Sequence, residues 1–496
     1  MKSIYKVILI ATIGLFVSCD EDLDINRNPN TPNEINAGLA LTSAEASLAM
    51  VVGDELTNLG GFYAQYHTQS PSASQYESID QYNLNTGYAN RFWTELYSGC
   101  LNDLKYVKEE SDAAGDTASA LISELLRAYT YQLLVDLFDD IPYTEALQQE
   151  SGNITPALTS GEEVYADLLD RIDAAVAAYN TNPTEAEVAS QDVIYGGNMD
   201  RWIEFANTLK LKMYLRMAYT SMADPGAVNA LMAEGNFLTE DAAFASFADT
   251  DDKRNPFYEV QFDQTGLGDV NHIASNTLLL FYEGNADPRL SAVYRASSAG
   301  TYLGIEQGTG NDFNDTAQAY ARPNVGPFTP VFFMSVTESY FLQAEALVRY
   351  SGGTGAKEMY DMAVEASFDT YKEYFGLSND ADPSALTGAG GTYEYMDAGN
   401  IEANIRQIMV QKWASLPYIN NIESYIETTR TKFPEVVEEG TQDYTEGNRI
   451  PSSISVLGGT TVPSILFYPD DEVNRNPNIT QRATITENVW WDQKPE

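Results

Sequence analysis

The chain has 496 residues, with 72 Asp and Glu against 28 Lys and Arg and a formal charge of −44 at pH 7. Its 44% share of hydrophobic residues is ordinary globular usage, enough for a large core, which excludes a disordered polyanion. The charge excludes nucleic acid as a partner, since that affinity rests on cations displacing counterions from phosphate. The only two histidines, His67 and His272, make no local zinc motif.

Residues 1–18 carry Lys2 and Lys6, an apolar run from Val7 to Val17 and small residues at the end, the layout of a secretory signal. The run is about half the roughly 20 residues of a spanning helix. Leu15-Phe16-Val17-Ser18-Cys19 resembles the bacterial lipoprotein signal, in which cleavage precedes a cysteine that then carries the lipid. With Cys19 lipidated, Cys100 stands alone, so stability must come from packing rather than a disulfide. Cleavage removes two lysines and no acids, leaving 26 cations against 72 anions, a net of −46. Residues 19–36 then form an acidic tether beginning Asp20-Glu21-Asp22-Leu23-Asp24, which also resembles the export signal of lipoproteins sent to the outer face of the outer membrane.

From residue 37 to 496 the dominant signal is helical. Helices are expected near 38–59, 90–110 and 118–138. Val164, Leu168, Ile172, Val176 and Tyr179 then form an apolar stripe at helical spacing. Trp202, Phe205, Ala206, Leu209, Met213 and Met217 form another, with Asp200 placed to cap it. Helices follow at 334–350 and 356–375, separated by Ser351-Gly352-Gly353-Thr354-Gly355. Small residues at Ala344, Ala346, Ala363 and Ala366 suit a close helical hairpin of the tetratricopeptide type. Ile401, Ile405, Ile408, Met409 and Leu416 make a further stripe. Strand signals are few; the run Val462 to Phe467 is one candidate hairpin.

Long polar stretches lie between these helices, notably 61–89, 246–275, 296–330, 376–400 and 432–478. The first is dense in aromatic and amide groups. Trp93 and Tyr97, at helical spacing, are expected in the core, whereas Tyr76, Tyr82 and Tyr88 lie in its Ser/Asn/Gln-rich part and are candidate ligand contacts. Phe257 and Tyr258, projected by the turn at Asn255-Pro256, form a second candidate surface, and His272 beside them reads as a structural residue. Sugar rings offer apolar faces and many hydroxyls, so flat aromatics flanked by amides and carboxylates suit them. The runs Asp249, Asp251, Asp252 and Asp470, Asp471, Glu472 raise structural calcium, although neither has EF-hand spacing; no other cofactor or metal is expected.

Several motifs in order resemble the SusD/RagB family of outer-membrane lipoproteins, in its SusD-like branch. They are Asn26-Arg27-Asn28-Pro29-Asn30, Phe138 to Ala146, Arg201 to Lys210, Asp287-Pro288-Arg289-Leu290, Glu338 to Ala346, Ile408 to Trp413, Tyr468-Pro469 with Glu472 and Asn474, and Trp490-Trp491-Asp492. The chain departs from the pattern at Asp140 and around Tyr425 and Thr429-Arg430. The resemblance implies a mainly α, single large domain with tetratricopeptide-like hairpins, long irregular loops and few short strands. It further implies a lipid-anchored, cell-surface binder, without catalysis, that captures oligosaccharides, or peptides, for a SusC-like TonB-dependent transporter. Two other classes remain: a helical glycoside hydrolase, which needs two carboxylates roughly 5 to 10 Å apart, and a purely structural surface protein. The lipoprotein assignment predicts that Cys19→Ala abolishes metabolic labelling with a fatty acid; label retained in the variant would remove the anchor.

Overall fold

The computed structural model describes residues 36–312 and 314–495; the expected signal, Cys19 and most of the tether lie outside them. Helix takes 49% and strand 5%, so the chain is mainly α as expected. The first helix, α1 (Ala37–Val51), runs through a π turn at Val52–Leu56 into α2 (Thr57–Tyr63). In the same way α3 (Asn90–Thr94) passes through a π turn at Glu95–Leu101 into α4 (Asn102–Ala114). Next come α5 (Thr117–Phe138), α6 (Gly161–Thr181), α7 (Met199–Arg216), α8 (Pro225–Glu234) and α9 (Asn276–Gly284). The longer helices that follow are α10 (Val336–Tyr350), α11 (Ala356–Tyr374), α12 (Ile401–Ser415) and α13 (Asn421–Thr431).

Apolar periodicity explains most of these. In α7 the predicted face, Trp202, Phe205, Ala206, Leu209 and Met213, is buried, each large side chain contributing about 1.5–3 kcal/mol of hydrophobic stabilisation. Its cap is Asn198, whose side chain accepts from Arg201 N; Asp200, expected as the cap, lies inside the first turn, where a negative charge also favours the helix dipole. The α10/α11 hairpin forms as read. Gly352, Gly353 and Gly355 all take positive φ in its turn, which only glycine does without strain, and Ala344, Ala346 and Ala363 are buried. Helices α4, α5 and α6 pack in sequence, and α5 is buried along almost its whole length.

Strand pairing is limited to four two-stranded pieces among the described residues. One joins His67–Gln69 antiparallel to His272–Ala274. The candidate hairpin at 462–467 forms no strand. Its backbone instead docks singly, Ser464 N and Ile465 N on Ile485 O and Leu466 N on Leu137 O, because its partners are a helix end and a loop rather than an adjacent strand. Trp93 is core, as expected, while Tyr97 is half-buried and donates its hydroxyl to Pro142 O.

Helix α13 is buried on all sides: Ile422, Tyr425 and Ile426 join the core, and the rest of its buried surface is charged. Lys212 and Arg216 of α7, Glu338, Glu345 and Arg349 of α10, Lys412 of α12, Glu423, Glu427 and Arg430 of α13 and Asp136 of α5 meet in one buried network. Lys212 stands 2.9 Å from Glu338, Lys412 3.3 Å from Glu427, and Arg216 3.1 Å from Asp136 and 2.8 Å from Glu423. Arg430 lies 2.7 Å from both Glu345 and Glu427, and Arg349 2.6 Å from Glu345. Burial pushes the Glu427 carboxyl up, but Arg430, Lys412 and Arg216 together hold it well below the usual carboxylate range.

The sequence motifs serve this interior. Arg289 pairs with Asp287 at 2.7 Å and donates to Ser367 and Ser415, Trp413 Nε1 donates to Ala64 O, and Trp491 Nε1 to Asp136. Removing one partner of a buried pair leaves the other charge uncompensated. Arg430→Met, which leaves five buried carboxylates facing four cations although Glu345 keeps Arg349 and Glu427 keeps Lys412, is therefore expected to lower unfolding free energy by about 3–5 kcal/mol in urea titrations; a loss within the range of a surface substitution would sink the network's role.

Candidate ligand-binding site

The two histidines, 205 positions apart in sequence, converge. The strand pair carrying them sets their rings 4.6 Å apart at 80°. His67 lies near-parallel to Phe257 and Tyr418, each 6.0 Å away and 6.2 Å from one another, and Asn58 of α2 serves both histidine rings. Its carbonyl lies 3.1 Å from His67 Nε2 and its Oδ1 2.6 Å from His272 Nε2. Burial lowers His67 to about 3, and burial with the nearby His67 takes His272 well below its usual value. Both rings are neutral and structural, as expected of His272.

Over this aromatic core lie the residues singled out from the sequence, and they divide into two sets. Tyr82 and Phe257 are corrections: at 2% and 1% exposed they offer no face to a ligand. Tyr82 packs edge-on to Tyr63 at 5.6 Å and accepts from Ser452 N, because the chain folds back at its positive φ of 56°. Phe257 is drawn inward as the first turn of the short helix Pro256–Gln261, capped by Asn255. Tyr76, Tyr88 and Tyr258 are half-buried, each with part of its surface in solvent.

Tyr76 is tied to that short helix through Gln261, whose Nε2 donates to the Tyr76 hydroxyl at 2.7 Å. Gln261 also approaches Asp54 Oδ1 at 3.5 Å. Asp54 and Glu55 occupy the first π turn, a feature common at functional sites, and Gly53 lets that turn approach closely. A Cβ there would stand 2.4 Å from Val331 Cγ2. Tyr88 shares this neighbourhood; burial raises its phenol well above the usual value, and Glu55, Tyr76 and Asp54 add to the effect. Arg91 stands 3.4 Å from Glu55. The result is a ledge on which Tyr76 and Tyr88 are backed by an amide and two carboxyls, and Tyr258 stands three residues before Gln261 on the short helix beside it. Sequence spacing marked Tyr76, Tyr88 and Tyr258; Gln261, Asp54 and Glu55 carry no such signal, since Asp54 and Glu55 sit mid-helix and only the π turn turns them toward the tyrosines.

The acidic runs are internally engaged. Arg254 lies 2.6 Å from Asp249, 3.1 Å from Asp251 and 3.1 Å from Glu259. Asp470 accepts from Asn90 Nδ2 at 2.7 Å. Among the described residues no group of three or more His, Cys, Asp or Glu is arranged to hold a metal ion. A cleft of 590 Å³, lined by none of the ledge residues, is walled by Arg127, Tyr131, Tyr143 and Arg171; of these, Tyr143 alone lies in a motif singled out from the sequence.

Burial, reinforced by Glu55, raises Asp54 from 3.8 to about 7. Below about pH 4 the group is protonated in both folded and unfolded states and has no net effect. As pH rises toward 7 the unfolded chain ionises first, so this group lowers stability progressively, by an upper bound of about 4 kcal/mol. Asp54→Asn is expected to match the parent at pH 4 and to exceed it in stability at pH 8. Parallel pH profiles in chemical denaturation would contradict that burial.

A SusD-like family described as starch-binding and associating with the outer membrane matches residues 29–455. No protein with a curated description matches the chain. Among solved structures, a SusD homologue from Bacteroides uniformis is 23% identical with a TM-score of 0.72, over 92% of this chain and 99% of its own. Another, from Bacteroides fragilis, is 20% identical with a TM-score of 0.73, over 93% and 100%. A protein described as chitin-binding is 20% identical with a TM-score of 0.72, over 92% and 100%. At such identities the structural likeness speaks for the fold, whereas the family match spans most of the sequence, and on that ground the chain belongs to the SusD-like family.

Proposed function

We propose that the chain is a lipid-anchored binding protein on the outside of the outer membrane. It captures oligosaccharides on the ledge of Tyr76, Tyr88 and Tyr258 and passes them, unaltered, to a SusC-like TonB-dependent transporter. The observation that carries this reading is the ledge itself: half-buried tyrosine faces set beside the Gln261 amide, in a chain of a family described as starch-binding. Tyrosine gives a sugar ring both a flat apolar face and a hydroxyl at small conformational cost. The lipobox at Leu15 to Cys19 and the acidic residues after it support the anchor and its outward orientation. The starch of the family description and the chitin of one structural neighbour set the first ligands to try.

Calorimetry of the mature chain with malto- and chito-oligosaccharides is the direct test. Replacing Tyr76, Tyr88 and Tyr258 together by Ala is expected to weaken binding by about tenfold or more, since each lost ring contact is worth about 0.5–1.5 kcal/mol, with the fold retained. Unchanged affinity would discard the ledge, and hydrolysis of any bound glycan would favour the glycosidase reading instead. Recovery of a TonB-dependent barrel with the chain from solubilised outer membranes tests delivery.

A further inference from the structure

A cleft of 460 Å³, within the range of about 300–1,000 Å³ typical of small-ligand sites, opens beside the C-terminal end of α13. Arg449 lines it, together with Lys432 and a wall of hydroxyls that includes Thr429, Thr461 and Thr486. Arg449 is 3% exposed, so it forms the floor.

Buried cations in proteins are paired or otherwise neutralised, and this chain obeys that rule at Lys212, Arg216, Arg289, Lys412 and Arg430, each of which meets a carboxylate. Arg449 differs. Its Nε donates to Pro434 O at 3.0 Å and its Nη1 to Tyr63 O at 3.2 Å. Among the described residues no carboxylate stands within 4.0 Å of it. The ionisable groups around it are the phenols of Tyr82, Tyr66 and Tyr425, and burial lowers its pKa to about 10. Lys432 is already held by Asp492 at 2.8 Å, and the carboxylate among the lining residues, Glu435, is exposed. The floor of the cleft thus has a positive charge without a counterion, and its wall offers hydroxyls.

From this juxtaposition we infer that the cleft is a subsite for a carboxylated sugar, the acid group taken by Arg449 and the ring hydroxyls by the threonine wall. A guanidinium matches a planar carboxylate, and hydroxyl side chains both donate to and accept from a sugar. The inference rests on the reading of the chain as a glycan-capturing protein and adds a charged unit to the glycans it takes.

The experiment titrates the mature chain with D-glucuronate, D-glucose and sodium sulfate, followed by ligand-observed NMR. Glucuronate is expected to bind about tenfold or more tightly than glucose, the worth of one hydrogen bond to a charged group. Arg449→Gln should abolish that preference. Should Arg449→Gln fail to fold, the double variant Thr429→Val with Thr486→Val, which leaves the buried cation in place, is expected to weaken glucuronate binding about threefold. Equal affinity for glucuronate and glucose, no binding of glucuronate, sulfate binding as tightly as glucuronate, or glucuronate affinity unchanged in a folded variant would each overturn the subsite. Neutral oligosaccharides bound at the tyrosine ledge alongside any of those results would leave the capture function standing and remove the acidic subsite alone.

Discussion

Ten charged side chains at the junction of α5, α7, α10, α12 and α13 are removed from water together: Asp136, Glu338, Glu345, Glu423 and Glu427 against Lys212, Arg216, Arg349, Lys412 and Arg430. Taking these charges out of solvent carries a desolvation penalty of several kcal/mol per ion. The arrangement is tolerable because the charges balance and almost every carboxylate meets more than one cation. Such a network adds little net stability over an apolar core of the same shape. Its consequence is geometric. Each helix has one register and one rotation at which its charges find partners, so the five helices are fixed relative to each other and carry the connecting loops to defined places.

That interior use of cations shapes the exterior. The sequence has only 28 Lys and Arg, and several of the best-buried ones neutralise the core. Because those cations are buried with an equal number of carboxylates, the network takes up none of the net charge of −44. A protein of this kind repels polyanions at long range, which suits a binder that recognises sugars by faces and hydroxyls rather than by bulk charge. Arg449 is the local exception, a cation without a carboxylate at the bottom of a hydroxyl-lined cleft.

The tyrosine ledge depends on the same rigidity. Its base is an aromatic layer of Phe62, His67, Phe257 and His272, held by Asn58 and kept neutral by burial. The π turn at Val52–Leu56 rotates Asp54 toward Gln261, and Gln261 in turn fixes the Tyr76 hydroxyl. A long polar connection thereby becomes an ordered surface without regular secondary structure, because its side chains find partners on helices distant in sequence.

The helical class, the positions of most long helices and the turn between α10 and α11 were legible in the sequence, since apolar periodicity and glycine breakers act over a few residues. The order of the family motifs was equally plain as a residue pattern, and the family followed from it. Helix α13 was not legible, because its short apolar set, Ile422, Tyr425 and Ile426, is interleaved with buried charges whose partners, such as Glu345 for Arg430, lie 85 positions away. Nor was the division of the candidate tyrosines. Tyr82 and Tyr88 have similar local surroundings in sequence, yet one faces Tyr63 in the core and the other the ledge. Composition and spacing determined what kind of protein this is; which aromatic rings meet solvent, and which arginine lacks a counterion, were decided by contacts between segments hundreds of residues apart, where local periodicity carries no information.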